Sequence, residues 1–324
     1  MNGILALLAL LTALLSLSIG STDIAPLTGL LDWAQGVSSV DAIVSGEIRL
    51  PRTLLSLLVG ASLGLSGAAL QGLLRNPLAD PGLTGASQGA ALGAASVFYF
   101  GLFPALGVAA PALAGLVGAG IALLIMLLLA GPAGQAMVIM AGLAISTLTG
   151  ALLAAVLNFA PNPFAMQELV FWLLGSVSER GLEHLWLLVP ALMTGGYLIL
   201  SQRRLLLGLS LGEQVAQSMG LSPRRGSRLI VLGAALLVGT SVAVAGAIGF
   251  VGLIVPHLVR PLVQHRPDRA LLPSALLGAM LVCLADIVVR LLPPGQELKL
   301  GVLTSLIGAP LFIWLVWKER RRWI

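Results

Sequence analysis

Apolar residues run along this chain in long blocks, separated by short clusters rich in Arg, Pro, Gly and Asn. The first block covers Gly3 to Gly20, and nine more follow near 54–74, 86–103, 105–130, 136–158, 184–201, 229–247, 249–263, 271–292 and 300–317. A membrane-spanning helix needs about 20 mainly apolar residues, whereas the strands of a membrane barrel alternate apolar and polar positions over about ten. The blocks therefore predict an all-α polytopic membrane protein of about ten transmembrane helices. The third block is short and Gly-rich, and the eighth is short and carries Pro256 and His257. Small residues such as Gly60, Gly64 and Gly67, or Gly115, Gly118 and Gly120, read as places where helices approach closely. The first block has the length of a signal peptide. No Lys or Arg precedes it, as a secretory amino end requires, so a retained first span is expected.

Composition removes the soluble alternatives. Of 324 residues, 58% are hydrophobic and 10% are charged, against about 25% charged in soluble domains; the mean hydropathy is +1.02. Ten spans leave only short connections, so residues 1–324 form a single transmembrane domain. The 18 Lys+Arg against 13 Asp+Glu sit at block ends, where topology rather than nucleic acid accounts for them. An even number of spans puts both termini on one side. With the termini cytoplasmic, the inner connections hold Arg75, Arg203, Arg204, Arg224, Arg225, Arg228, Arg260, Arg266, Arg269, Lys318, Arg320, Arg321 and Arg322. The outer side then holds Arg49, Arg52, Arg180, Arg290 and Lys299. This is the bias the positive-inside rule prefers, and both termini are expected in the cytoplasm.

The candidate chemistry is sparse. A phosphate-binding P-loop needs a Lys after a Gly-rich turn, and the two lysines, Lys299 and Lys318, sit in no such sequence. The chain is therefore expected neither to hydrolyse ATP nor to act as an enzyme by itself. Cys283 is the single cysteine and reads as a small packing residue; no metal site or cofactor is expected. Ionisable residues within blocks are His257 and Arg260, which read as inner anchors, and Asp286 and Arg290, spaced i,i+4 for a local ion pair. No chain of such groups suggests a proton relay.

The connection from Leu205 to Arg228 differs from the others. Gly212 and Gly220 bracket a short helical pattern with Val215, Ala216 and Met219 on one side and Glu213, Gln214 and Gln217 elsewhere. Ser222-Pro223 then reads as a cap and first position of a second short helix. Such a segment either rests on the bilayer or docks a soluble partner. Asn76-Pro77 and Asp80-Pro81-Gly82 read as turns that end helices.

Several runs, taken in order, resemble one family. They are Arg49-Leu-Pro-Arg52-Thr; Gln71 through Asn76-Pro77 and Asp80-Pro81-Gly82 to Gly85; Trp172-Leu-Leu-Gly175-Ser176; Leu211-Gly212-Glu213 with Ala216 and Met219-Gly220; Gly246 through Gly249-Phe250, Gly252 and Pro256-His257 to Arg260; Leu284-Ala-Asp286; and Gly308-Ala-Pro310. From about residue 45 onward the chain is similar to FecCD-type permeases, the membrane subunits of ABC importers for iron–siderophore complexes, haem and cobalamin. The resemblance implies a bacterial inner-membrane homodimer, two ATP-binding subunits that hold ATP and Mg, and a soluble substrate-binding protein. It implies that Gly212, Glu213, Ala216, Met219 and Gly220 couple to the ATPase, and that Arg49, Arg52 and Arg290 are exposed arginines that dock the binding protein. A cytoplasmic gate is implied at Gly134, Gln135 and Ala136, although Met137 stands where the family pattern has a basic residue. By family frequency the cargo expected is an iron–siderophore, then haem, then cobalamin. A stand-alone secondary transporter driven by an ion gradient is the alternative from another class.

Overall fold

The computed structural model describes residues 1–20, 22, 24–107, 109–131, 135–159, 163–178, 180–292 and 298–320. In chain order its α-helices are α1 (Asn2–Ser18), α2 (Pro26–Ala34), α3 (Val40–Ile43), α4 (Leu50–Leu73), α5 (Ala86–Phe100), α6 (Ala109–Ala130), α7 (Gln135–Asn158) and α8 (Pro163–Leu173). They continue with α9 (Leu185–Leu200), α10 (Arg203–Leu211), α11 (Glu213–Ser218), α12 (Pro223–Ala245), α13 (Val251–Val259), α14 (Pro267–Leu291) and α15 (Leu300–Arg320). Each predicted block falls on one of these: α1, α4 to α7, α9 and α12 to α15. Among the described residues, six helical stretches are long and apolar enough to cross a membrane: Val40–Leu73, Ala109–Ala130, Met140–Asn158, Leu182–Leu211, Pro223–Ala245 and Pro267–Leu291. Shorter apolar helices lie at Asn2–Ser18, Val251–Val263 and Leu300–Trp314.

Helix α4 is the hub, packed against α14, α12, α13, α9 and α1. Small residues permit this. A Cβ on Gly60 would lie 2.2 Å from the Gly278 carbonyl oxygen, and one on Gly64 2.1 Å from that of Ser274, so α4 and α14 touch backbone to backbone. Without a hydrophobic drive between helices in lipid, such approach supplies the dispersion contact that holds them. The second half repeats the device. Helix α12 lies against α6, with Gly239 closed by Ala119 and Gly115 by Ala243. Gly118 meets Gly89 on α5 in the same way. Gly120 departs from the close-packing expectation: a side chain there would meet nothing within 4 Å, because it lies on the outer face of α6.

Two predicted boundaries need correction. The second span was expected to begin near residue 54, yet helix runs unbroken from Val40 to Leu73. Pro51 stands in its path, and an interior proline removes a donor and crowds the carbonyl four residues back, here that of Glu47. The chain accommodates it by widening to a π-helical stretch over Val44–Arg49, closed by the Leu50 N–H donating to the Ser45 carbonyl. The second correction concerns Pro223. It does stand at the first helical position after Ser222, but no second short helix follows. Nothing between Arg224 and Ala245 breaks a helix, so α12 runs on for 23 residues, and the Ser222 side chain makes no capping bond.

Candidate functional sites at the two ends of the bundle

At one end, α10 and α11 form a compact elbow. Gly212 joins them with φ 125°, a backbone shape reserved for glycine. Behind it, Gly208 of α10 leaves room for Ala216 and Leu221, whose side chains would lie 3.1 Å from an added Cβ; Ala216 is fully buried as a result. The end of α11 is closed by Gly220 at φ 74°, the left-handed conformation expected after a short helix. The Gly220 N–H donates to Gln217 and the Leu221 N–H to Ala216, at 2.9 and 3.1 Å. This paired closure satisfies carbonyls that the helix leaves open. The opposite face is apolar and open: Leu211, Val215 and Met219, four residues apart, are 64%, 40% and 52% exposed. Glu213 lines a cavity of about 210 Å³ shared with Arg224 and Arg228.

Gly220→Val tests this elbow. Space around Gly220 is empty, so the change acts through backbone strain alone, about 1–3 kcal/mol for a non-glycine held left-handed. The bundle is expected to stay folded while, on the coupling role the resemblance implies, ATPase co-purification or the coupling of hydrolysis to uptake falls. Gly220→Asn, which tolerates this conformation, is expected to keep both, as read by ATP turnover and uptake in proteoliposomes.

At the other end of α4, three arginines and one carboxylate tie α1, α4 and α14 together. Arg52 Nε donates to both oxygens of Asp286, at 2.8 and 3.0 Å. Arg290, one helical turn along α14, reaches the same carboxylate at 2.7 Å. Its other nitrogen donates to the carbonyls of Ser16 and Ile19 at 2.8 and 3.2 Å. Arg49 donates to the carbonyls of Leu17, Ser18 and Thr22. Two guanidinium groups thus cap the carboxyl end of α1, where the helix dipole favours cations. Ser16 also meets Thr53 across the interface, at 2.7 Å between hydroxyls, and Cys283 is buried beside α1 as a packing residue.

The expectation of exposed arginines is corrected here. Arg49 is 3% exposed, the Arg290 side chain 7% and that of Arg52 17%. A buried guanidinium stays charged and loses its hydration, and the carbonyls of α1 together with Asp286 offset that cost with charge-assisted hydrogen bonds. Sequence spacing pointed to the Asp286–Arg290 pair. It gave no sign of Arg52 as a second partner, 234 residues away.

A third feature lies along α4. Gly67 is pressed on the Gly252 carbonyl oxygen, which an added Cβ would approach to 1.9 Å, and Gln71 donates to the Leu253 carbonyl at 3.1 Å. These contacts seat the start of α13, whose preceding residue Phe250 is left-handed at φ 65°. The turn at Asp80 adjoins: Asp80 accepts from the Gly82 N–H at 2.7 Å, and Pro81 abuts Gly252. Burial pushes the Asp80 carboxyl above its ordinary value, partly offset by that hydrogen bond. Of the expected gate, Gly134 lies outside the described residues, while Gln135 and Ala136 open α7.

The chain matches the FecCD transport family over residues 7–318. It belongs to that family. Among similar proteins are vitamin B12 import system permeases BtuC of Salmonella arizonae and Salmonella typhi, each 40% identical, covering 98% of this chain and 94% of theirs. A solved structure of an inward-facing metal-chelate-type ABC transporter superposes with a TM-score of 0.83 at 33% identity, over 98% of both chains. PsaBC from Streptococcus pneumoniae, in complex with Fab, shares the fold alone, with a TM-score of 0.53 at 18% identity over 88% of this chain and 94% of that one. Members of the FecCD family are permease subunits of ABC importers, and the chain is a membrane permease of that kind.

Proposed function

We propose that this permease is the homodimeric membrane subunit of a binding-protein-dependent importer, carrying a large metal chelate inward by alternating access. The match along nearly the whole chain to permeases of one transport type carries this reading. Each copy contributes ten spans with both termini in the cytoplasm of a bacterial inner membrane. Two partner subunits bind ATP and Mg and seat against the α10–α11 elbow, whose exposed Leu211, Val215 and Met219 suit an apolar cleft. The gate closes near Gly134, Gln135 and Ala136. A soluble binding protein docks at the opposite end, where Arg49, Arg52 and Arg290 fix the rim and Arg52, the most exposed, meets its acidic residues.

For cargo, the 40% identity to vitamin B12 permeases favours a corrinoid over the iron–siderophore expected from family frequency. Both are rigid chelates selected by the binding protein. The assembled complex in proteoliposomes is expected to raise its ATP turnover with a corrinoid-loaded binding protein and not with one offered a ferric siderophore or haem. Stimulation by the siderophore alone would reassign the cargo. Uptake by this chain without any ATPase would overturn the importer reading in favour of an ion-driven transporter. A reporter fused after Ile324 is expected to be active only in the cytoplasm.

A further inference from the structure

Three helices begin at one cavity. The first residues of α1, α10 and α14 border a space of about 810 Å³ at the end of the bundle that carries the elbow. Arg203, Arg204, Arg266 and Arg269 line it, with Asp268 as the single acid. The amino end of a helix is its positive end, and α1 and α10 carry no acid in their first turns. Asp268, in the first turn of α14, is taken by Arg266 at 2.9 Å. The guanidinium groups of Arg203, Arg204 and Arg269 have no hydrogen-bond or ion-pair partner among the described residues. At the other end of α4, Arg49, Arg52 and Arg290 are held by carbonyls or by Asp286. Here three exposed guanidinium groups without a side-chain partner among the described residues stand at the positive ends of helices, and an anion lowers the energy of the whole arrangement.

The walls say which anion. Leu262 and Leu272 line the same cavity and are 60% and 48% exposed, so an apolar surface adjoins the cationic one. A free phosphate would leave those leucines uncovered, whereas a phospholipid covers both with one molecule. We infer that this cavity binds an anionic phospholipid, its phosphate on Arg203, Arg204 and Arg269 and its acyl chains along Leu262 and Leu272. Basic pockets between membrane helices recognise such headgroups through charge and a dry wall together. The lipid would brace the first turn of α10 against α14, and so steady the base of the elbow. The inference rests on the membrane-spanning reading of these helices but on neither cargo nor ATPase.

The test uses the full chain, purified in detergent and stripped of lipid. Mixed micelles containing cardiolipin are expected to raise its thermal transition, and phosphatidylcholine micelles are not. In Arg203→Gln/Arg204→Gln/Arg269→Gln the apparent affinity for cardiolipin is expected to fall about 100-fold, from roughly fivefold per arginine near the surface. Should the triple variant fail to fold, Arg269→Gln alone is expected to lose about fivefold. Equal stabilisation of variant and wild type would overturn the site. A wild type indifferent to cardiolipin would overturn it too and leave the cavity to an acidic protein surface. Stabilisation by inorganic phosphate alone at matched phosphate concentration would show an ion site and overturn the lipid.

Discussion

Asp286→Ala is expected to cost about 3–5 kcal/mol, the loss that follows when one partner of a buried ion pair is removed. The carboxylate is 1% exposed and serves two guanidinium groups. Removing it leaves Arg52 and Arg290 facing each other without a counter-charge, so the damage exceeds one lost bond. Thermal unfolding of the full chain in detergent measures it. Asp286→Asn keeps an acceptor and should lose less. Asp286→Ala combined with Arg52→Met should recover part of the loss, because removing both charges relieves the unpaired one. Full additivity of the two changes would show that the pair is not coupled.

Gly67→Val is the second large effect, and its origin is steric. The added Cβ would sit 1.9 Å from the Gly252 carbonyl oxygen. The obstacle is backbone, and no rotamer change can clear it. Overpacking of this kind costs about 1–3 kcal/mol, and the upper end is expected here. Since Gly252 opens α13 and Gln71 bonds just beyond it, uptake should fall together with stability. Gly120→Ala is the control. That glycine has open space around it, and alanine there is expected to be neutral or to stabilise α6 by about 0.5–1 kcal/mol. Equal losses in both variants would refute the contact.

The helices were legible because hydropathy records what each stretch needs from its solvent, and that requirement is local. Boundaries were less so. The π-helical stretch before Pro51 reflects how a helix steps around one ring, and hydropathy carries no trace of it. The elbow was legible in outline from Gly212 and Gly220, since only particular backbone shapes call for glycine there. The sequence did not reveal that Ala216 faces inward while Val215 and Met219 face out, because that depends on Gly208 of a neighbouring helix. The arginines are the clearest case. Their clustering near block ends is plain in the sequence, yet the burial of Arg49, Arg52 and Arg290 depends on carbonyls of α1 and on a carboxylate far along the chain.

The capping of α1 by Arg290 also sets an order of events during synthesis. The bond from Arg290 to the Ser16 carbonyl joins residues 274 apart. At the usual 5–20 residues per second of translation, the end of α1 waits roughly 14–55 s for that partner. Until then α1 lacks the bond from α14 that caps it, and Arg49, just before the arriving α4, is the earlier guanidinium cap among the described residues. Slowing synthesis between α4 and α14 would lengthen that exposure, and a membrane insertase that shelters α1 would matter most in this interval.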